Sequence, residues 1–226
     1  MSELLNAAGV HFAKELRIEA RTREITTLVA MFSLLLVVVA SLAFYIDPGT
    51  SRTLAPGVLW IPIAFAGVLA SSRTWARERE NQVMRAILAA PSARAGIYLG
   101  KLGALLLFIS AVEALLVPAV AVLFHLDLIA ILPRLVAILL TGTLAFASAS
   151  TLFGALTVET RARDLTLSIV VFPLVAPALL AAVVATRDLF GGAPAADTWN
   201  WIKILLAFDL VFLVGGLVLF EPLTAD

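Results

Sequence analysis

Apolar residues run along this chain in long blocks, separated by short polar punctuation. Six blocks stand out, at 26–46, 54–72, 95–124, 132–157, 165–186 and 202–220. A helix needs about 20 apolar residues to cross about 30 Å of hydrocarbon, so each block is predicted to be a membrane-spanning helix. Turn chemistry falls between several of them: Asp47-Pro48-Gly49, Pro133 and Gly191-Gly192-Ala193-Pro194. Little chain is left for a separate soluble domain, and residues 1–226 read as one all-α, six-span membrane domain. The stretch ahead of the first span carries Glu15, Glu19 and Glu24, and the apolar run from Ile25 to Ile46 is long enough to span. That is unlike a cleaved signal, and the segment is expected to stay attached.

Two shorter patterns lie outside the spans. Near the N-terminus Leu5, Ala8, Phe12, Leu16 and Ala20 recur at helical spacing, while Lys14, Arg17 and Arg21 fall on another face. This predicts an amphipathic helix lying in the membrane interface, its bases toward anionic lipid, with a solvated cytoplasmic helix as the plain alternative. Between the second and third spans runs SRTWARERENQVMRAILAAP, Ser72 to Pro91. Its Val83, Met84, Ile87 and Leu88 make a short apolar stripe, and Arg77, Glu78, Asn81 and Arg85 occupy other faces. Pro91 biases Ala90 away from helix and marks an end. The stripe is too short to span and too small to be a core. Glu78 and Glu80 disfavour a simple anionic-lipid anchor, so a partner's groove is the better cover, with a solvated loop helix as the plain alternative.

Composition agrees with the pattern: 62% of residues are hydrophobic and 14% charged, and the mean hydropathy is +1.04. A formal net charge of zero speaks against a nucleic-acid partner, and the lack of Cys removes disulfides, thiolate metal sites and thiol catalysis. Charge sets the orientation. Lys14, Arg17, Arg21, Arg23, Arg73, Arg77, Arg79, Arg85, Arg94, Lys101, Arg161 and Arg163 fall on one side, and only Arg52, Arg134, Arg187 and Lys203 on the other. The richer side is predicted to be cytoplasmic, with both termini on it.

No HExxH or GxSxG motif is present, and there are only two His. Gly96 to Leu102 is not a phosphate loop: it is one residue short between its glycines and has Leu where magnesium needs a hydroxyl. Gly96 and Gly100 are instead predicted to let another helix approach closely, with Lys101 snorkelling to the interface. Glu113 and Asp209 fall within spans, where a carboxylate costs a few kcal/mol, and both are placed in the outer half. They read either as a cavity or subunit contact, sharing one polar region, or as carboxylates protonated or capped by a neighbouring Ser or Thr. His125, beside Asp127 at the outer end of the third span, is a candidate ligand contact, against a plain boundary residue; His11 is the weaker candidate. Pro173 and Pro177 predict a broken or re-entrant fifth span. Tyr45, Trp60, Trp199 and Trp201 are expected to be interface anchors.

The layout resembles a six-helix ABC transporter permease, in which a short cytoplasmic helix between spans two and three docks into the ATPase. More closely, HFAKELRIEARTREI (11–25), LAPGVLWIPIAFAGVLASSR (54–73), RAILAAPSARAGIYLGK (85–101) and SIVVFPLVAPALLAA (168–182) resemble the CcmB family of haem-exporter permeases of cytochrome c maturation. Glu80-Asn81-Gln82-Val83-Met84 departs from the family pattern, which touches the details of docking and not the layout. The resemblance implies a bacterial inner-membrane subunit pairing with a second copy of itself and with CcmA-type ATPase subunits. It further implies CcmC- and CcmD-type membrane subunits, a periplasmic haem chaperone, ATP with its magnesium in the ATPase subunit, and haem as cargo, for which His125 is the candidate haem contact and His11 the weaker one. Arg77, Glu78, Glu80, Val83, Met84, Arg85, Ile87 and Leu88 would then couple ATP hydrolysis to the spans. The alternatives are an ABC permease for a lipid or drug, a membrane enzyme using Glu113 and Asp209, and a structural subunit.

Overall fold

A computed structural model describes residues 2–44, 48–80, 94–157 and 163–223. Among the described residues lie seven helices and no strand: α1 (Ser2–Thr22), α2 (Glu24–Ala43), α3 (Pro48–Glu80), α4 (Arg94–Leu123), α5 (Leu132–Thr157), α6 (Arg163–Phe190) and α7 (Ala195–Leu223). Six of them, α2 to α7, are long and apolar enough to cross a bilayer, as the hydrophobic blocks require.

The second span is longer than its apolar block. Thr74-Trp75-Ala76-Arg77-Glu78-Arg79-Glu80 continues α3 without interruption, because nothing in that run breaks a helix. The expected broken or re-entrant fifth span is corrected, since α6 runs through both Pro173 and Pro177. The two prolines stand four residues apart, so their missing donors fall on one face, and both are exposed there. The remaining bonds carry the helix past them.

Chain reversals use left-handed residues. α4 ends with His125 at φ 52, where His125 N–H reaches Val122 O (3.4 Å) and Leu126 N–H reaches Ala121 O (2.9 Å). α6 ends the same way on Gly192 at φ 80, with Ala193 N–H donating to Asp188 O at 2.9 Å. Arg23 at φ 50 makes the break between α1 and α2.

The bundle is built around α5. Its membrane-spanning stretch is 72% buried, against 28% for α2 and for α7. The enclosed helix is the one rich in small residues, TGTLAFASASTLFG, whose Thr143, Ser148, Ser150 and Thr151 are all buried. Ser148, Ser150 and Thr151 bond their hydroxyls to carbonyls of their own helix, so they can be buried without a foreign partner. Outward-facing positions of α2 and α7 are instead Leu and Val, such as Leu35, Val39, Leu210 and Val218.

Large aromatics seat on glycines of the facing helix. Between α3 and α5 the exchange is reciprocal: Trp60 lies against Gly142, Phe146 against Gly67 and Trp75 against Gly154. Tyr98 of α4 likewise lies against Gly216 of α7, and its hydroxyl contacts the carbonyls of Ser148 and Phe212 at 3.2 Å each. Trp60, expected at an interface, is buried instead; its Nε1 donates to Thr186 Oγ1 at 2.9 Å. The glycine opposite it leaves room for the indole and the threonine satisfies its polar edge.

A Cβ at Gly142 would collide with the Trp60 ring, whereas one at Gly57 meets nothing within 4 Å. Gly142→Ala should therefore destabilise the protein by about 1–3 kcal/mol through overpacking. Gly57→Ala should be neutral or stabilising by up to about 1 kcal/mol. Thermal unfolding of the two variants in detergent checks the contrast.

Candidate functional site

The charged residues collect at the end of the bundle where α1 lies. α1 rests on the start of α4, and the glycines there let it approach. A Cβ added at Gly96 would stand 2.6 Å from Ala7 Cβ, and one at Gly100 would stand 2.6 Å from His11 Cβ. Gly103 faces Phe12. The close approach expected of Gly96 and Gly100 is thus made, and its partner is α1.

The face that α1 buries differs from its apolar stripe. Ala8, Phe12 and Leu16 are half-buried, but Leu5 is 63% exposed and Ala20 is exposed too. The deepest residues of the helix are two acids, Glu15 and Glu19, at 2% and 5% exposure. Cations supplied by other helices account for this. Glu15 Oε1 lies 2.9 Å from Lys101 Nζ, with both side chains 2% exposed, and Lys14 Nζ stands 3.9 Å from the same oxygen. The Lys101 ammonium also sits 4.6 Å from the centroid of the Trp75 ring on α3, in cation–π reach. Lys101, expected to snorkel, is therefore inside the protein.

Glu19 joins three elements with one carboxylate. Its Oε1 accepts from the Thr26 backbone N–H at 2.7 Å, capping the first turn of α2 across the Arg23 break. Its Oε2 accepts from Arg77 Nη2 at 3.2 Å, and the same Nη2 lies 3.2 Å from Thr22 Oγ1. Arg77, the first of the expected coupling residues, thus braces the end of α3 against α1. Glu78 and Glu80 follow in the last turn of α3, while Val83, Met84, Arg85, Ile87 and Leu88 lie outside the described residues. Tyr45 also lies outside them.

The membrane carboxylates have different surroundings. Thr143 of α5 donates its hydroxyl to Glu113 Oε1, and Glu113 borders a cavity of about 300 Å³ between α4 and α5 lined mainly by apolar side chains. Asp209 is not part of that lining. It is 3% exposed, and among the described residues neither of its carboxylate oxygens has a hydrogen-bond partner. His125 is exposed, and its backbone closes α4. Among the described residues no three of His, Asp or Glu gather into a metal-binding group.

Glu15, Glu19 and Lys101 are the residues that reading by hydrophobicity missed. A faint signal exists: two carboxylates four residues apart share one face of the helix, while Lys14, Arg17 and Arg21 fall on another. Nothing local, however, says that this face turns inward.

The chain matches the family described as CcmB protein over residues 7–220. It is 33% identical over 180 residues to Heme exporter protein B of Paracoccus denitrificans, covering 79% of this chain and 81% of that protein. It is 28% identical over 159 residues to Heme exporter protein B of Pseudomonas aeruginosa, covering 70% of this chain and 71% of that one.

Removing one member of a buried ion pair strands the other, at a cost of about 3–5 kcal/mol. Lys101→Met alone should lower stability by that order and loosen α1, read as a drop in thermal midpoint and faster proteolysis near the N-terminus. Glu15→Leu combined with Lys101→Met should recover most of the loss. Equal stability of wild type and Lys101→Met would show that the pair does not hold α1.

Proposed function

Because the chain belongs to the CcmB family, we propose that it is the permease subunit of an ABC-type haem exporter serving cytochrome c maturation. The match over residues 7–220, which takes in all six membrane helices, carries this reading. Two relatives named Heme exporter protein B support haem as the cargo. ATP is hydrolysed by a cytoplasmic subunit of the CcmA type, since the chain itself offers no phosphate loop. Six helices are half of the usual ABC transmembrane unit, so the chain works with a second copy of itself and two ATPase subunits. CcmC- and CcmD-type subunits and a periplasmic haem chaperone complete the assembly in the bacterial inner membrane. The excess of Lys and Arg at the α1 end supports a cytoplasmic position for that end and for both termini.

The charge cluster gives this function a mechanical route. The ATPase acts on the segment after α3, through Val83, Met84, Arg85, Ile87 and Leu88 together with Arg77, Glu78 and Glu80. A displacement of α3's end is passed by Arg77 to Glu19, and so to α1 and the start of α2. Glu15 and Lys101 pass it on to α4. Three spans are thereby moved from one contact, through two ion pairs shielded from competing water and the Thr26 hydrogen bond to Glu19. Haem then either passes along the permease or is released by a neighbouring subunit to the chaperone.

Affinity purification of the tagged chain from its membranes should bring down an ATPase subunit. Charge reversal at Arg77, Glu78 and Arg85 should cut cytochrome c maturation by at least tenfold, and Arg77→Glu alone should be partly rescued by Glu19→Arg. Absence of any ATPase, together with unimpaired maturation in the charge-reversed protein, would overturn the coupling reading.

A further inference from the structure

At the end of the bundle away from α1, the first turns of α3, the last turn of α6 and the α6–α7 loop line an open cavity of about 530 Å³. Its lining includes Arg52, Thr53, Arg187, Asp188, Phe190 and Gly192. The volume falls within the range of about 300–1,000 Å³ typical of small-molecule sites. Arg52 and Arg187 are two of the four basic residues at this end, and they come to one concavity from different helices.

The walls are braced. Arg187 Nη2 lies 3.3 Å from Asp188 Oδ1, and Asp188 Oδ2 accepts from Trp201 Nε1 at 3.1 Å. The single carboxylate of the lining is therefore engaged on both oxygens, one of them by an indole from α7. A guanidinium has five N–H donors, and the Arg187 side chain is 56% exposed, so most of its donors stay within reach of a ligand. Arg134 donates to Ala193 O at 3.5 Å, holding the loop that forms one wall. Phe190, half-buried and packed on the core, adds an apolar surface.

We propose that this cavity binds an amphiphile through its carboxylate or phosphate groups, with Arg52 and Arg187 taking the anions and Phe190 meeting the apolar body. Guanidinium suits both oxyanions because its planar fork pairs with them bidentately. Two sources supply that chemistry at the outer membrane edge: the propionates of a porphyrin and the phosphodiester of an anionic lipid. The porphyrin source rests on the permease reading above; the anion site itself does not. Arg52 and Arg187 would hold cargo at the exit end while the charge cluster acts at the other.

The test uses the purified protein in nanodiscs of neutral phosphatidylcholine, with haem, haem dimethyl ester and phosphatidylglycerol as probes. Haem should bind at least tenfold more tightly than its ester, and Arg52→Gln with Arg187→Gln should erase that preference. Lys203→Gln, which removes a charge at the same end but outside the cavity, should leave it intact. If the anion comes from lipid, phosphatidylglycerol should instead be retained through purification and lost in the double-arginine variant. The proposal is overturned if haem and ester bind alike and phosphatidylglycerol retention is the same in wild type and the arginine variant. Should that happen while the ATPase still co-purifies, the site fails and the permease reading stands; arginine-dependent phosphatidylglycerol retention without an ATPase partner gives the reverse.

Discussion

A lysine ammonium sealed between helices is tolerated only if a carboxylate meets it, and the arrangement of this protein's charged end follows from that requirement at Lys101. The carboxylate comes from Glu15, which draws α1 onto α4; the glycines at 96 and 100 make the approach short enough. One turn further on, Glu19 ties α1 to the end of α3 and caps α2. Trp75 covers the ammonium from the third side. An N-terminal helix with a weak apolar stripe thus becomes a fixed part of the bundle.

The same logic runs through the membrane region, where lipid outside removes the usual reward for hiding leucine. Close packing and internal hydrogen bonds hold the helices instead. The most enclosed helix is accordingly the one richest in Ala, Ser, Thr and Gly, with aromatics of α3 filling its glycine notches. Trp60 bonded to Thr186 and Tyr98 set against the carbonyls of Ser148 and Phe212 are the polar clasps within that packing. The coupling proposed above would depend on such defined contacts, since a shift at one end is transmitted only through parts that do not give.

Much of the charged site was hidden from a reading by pattern. Arg77 stands out in the sequence by its place in a charged run, but its partner Glu19 lies 58 residues away in the chain. Lys101 looked like a snorkelling residue at a span's end because the helix that covers it cannot be seen in the local sequence. Asp209 and Glu113 read alike in the sequence as carboxylates within spans, yet the structure gives them different neighbours: Thr143 caps Glu113, and among the described residues neither Asp209 oxygen has a hydrogen-bond partner. Pro173 and Pro177 argued for a break that does not occur, because two prolines on one exposed face leave the other faces' hydrogen bonds in place.

By itself the sequence determined the number of membrane helices, their approximate limits and the uneven distribution of basic residues between the two ends. Those properties depend on the length of apolar runs and on counts of charge, which are local or additive. Tertiary structure alone decided which face of α1 is buried, which tryptophans are interior, and that Arg52 and Arg187 share a cavity. Each of these depends on which helix stands next to which, and on whether a glycine, a threonine or an opposite charge waits there. Neighbours of that kind are set by the packing of the whole bundle, and no stretch of the chain encodes them alone.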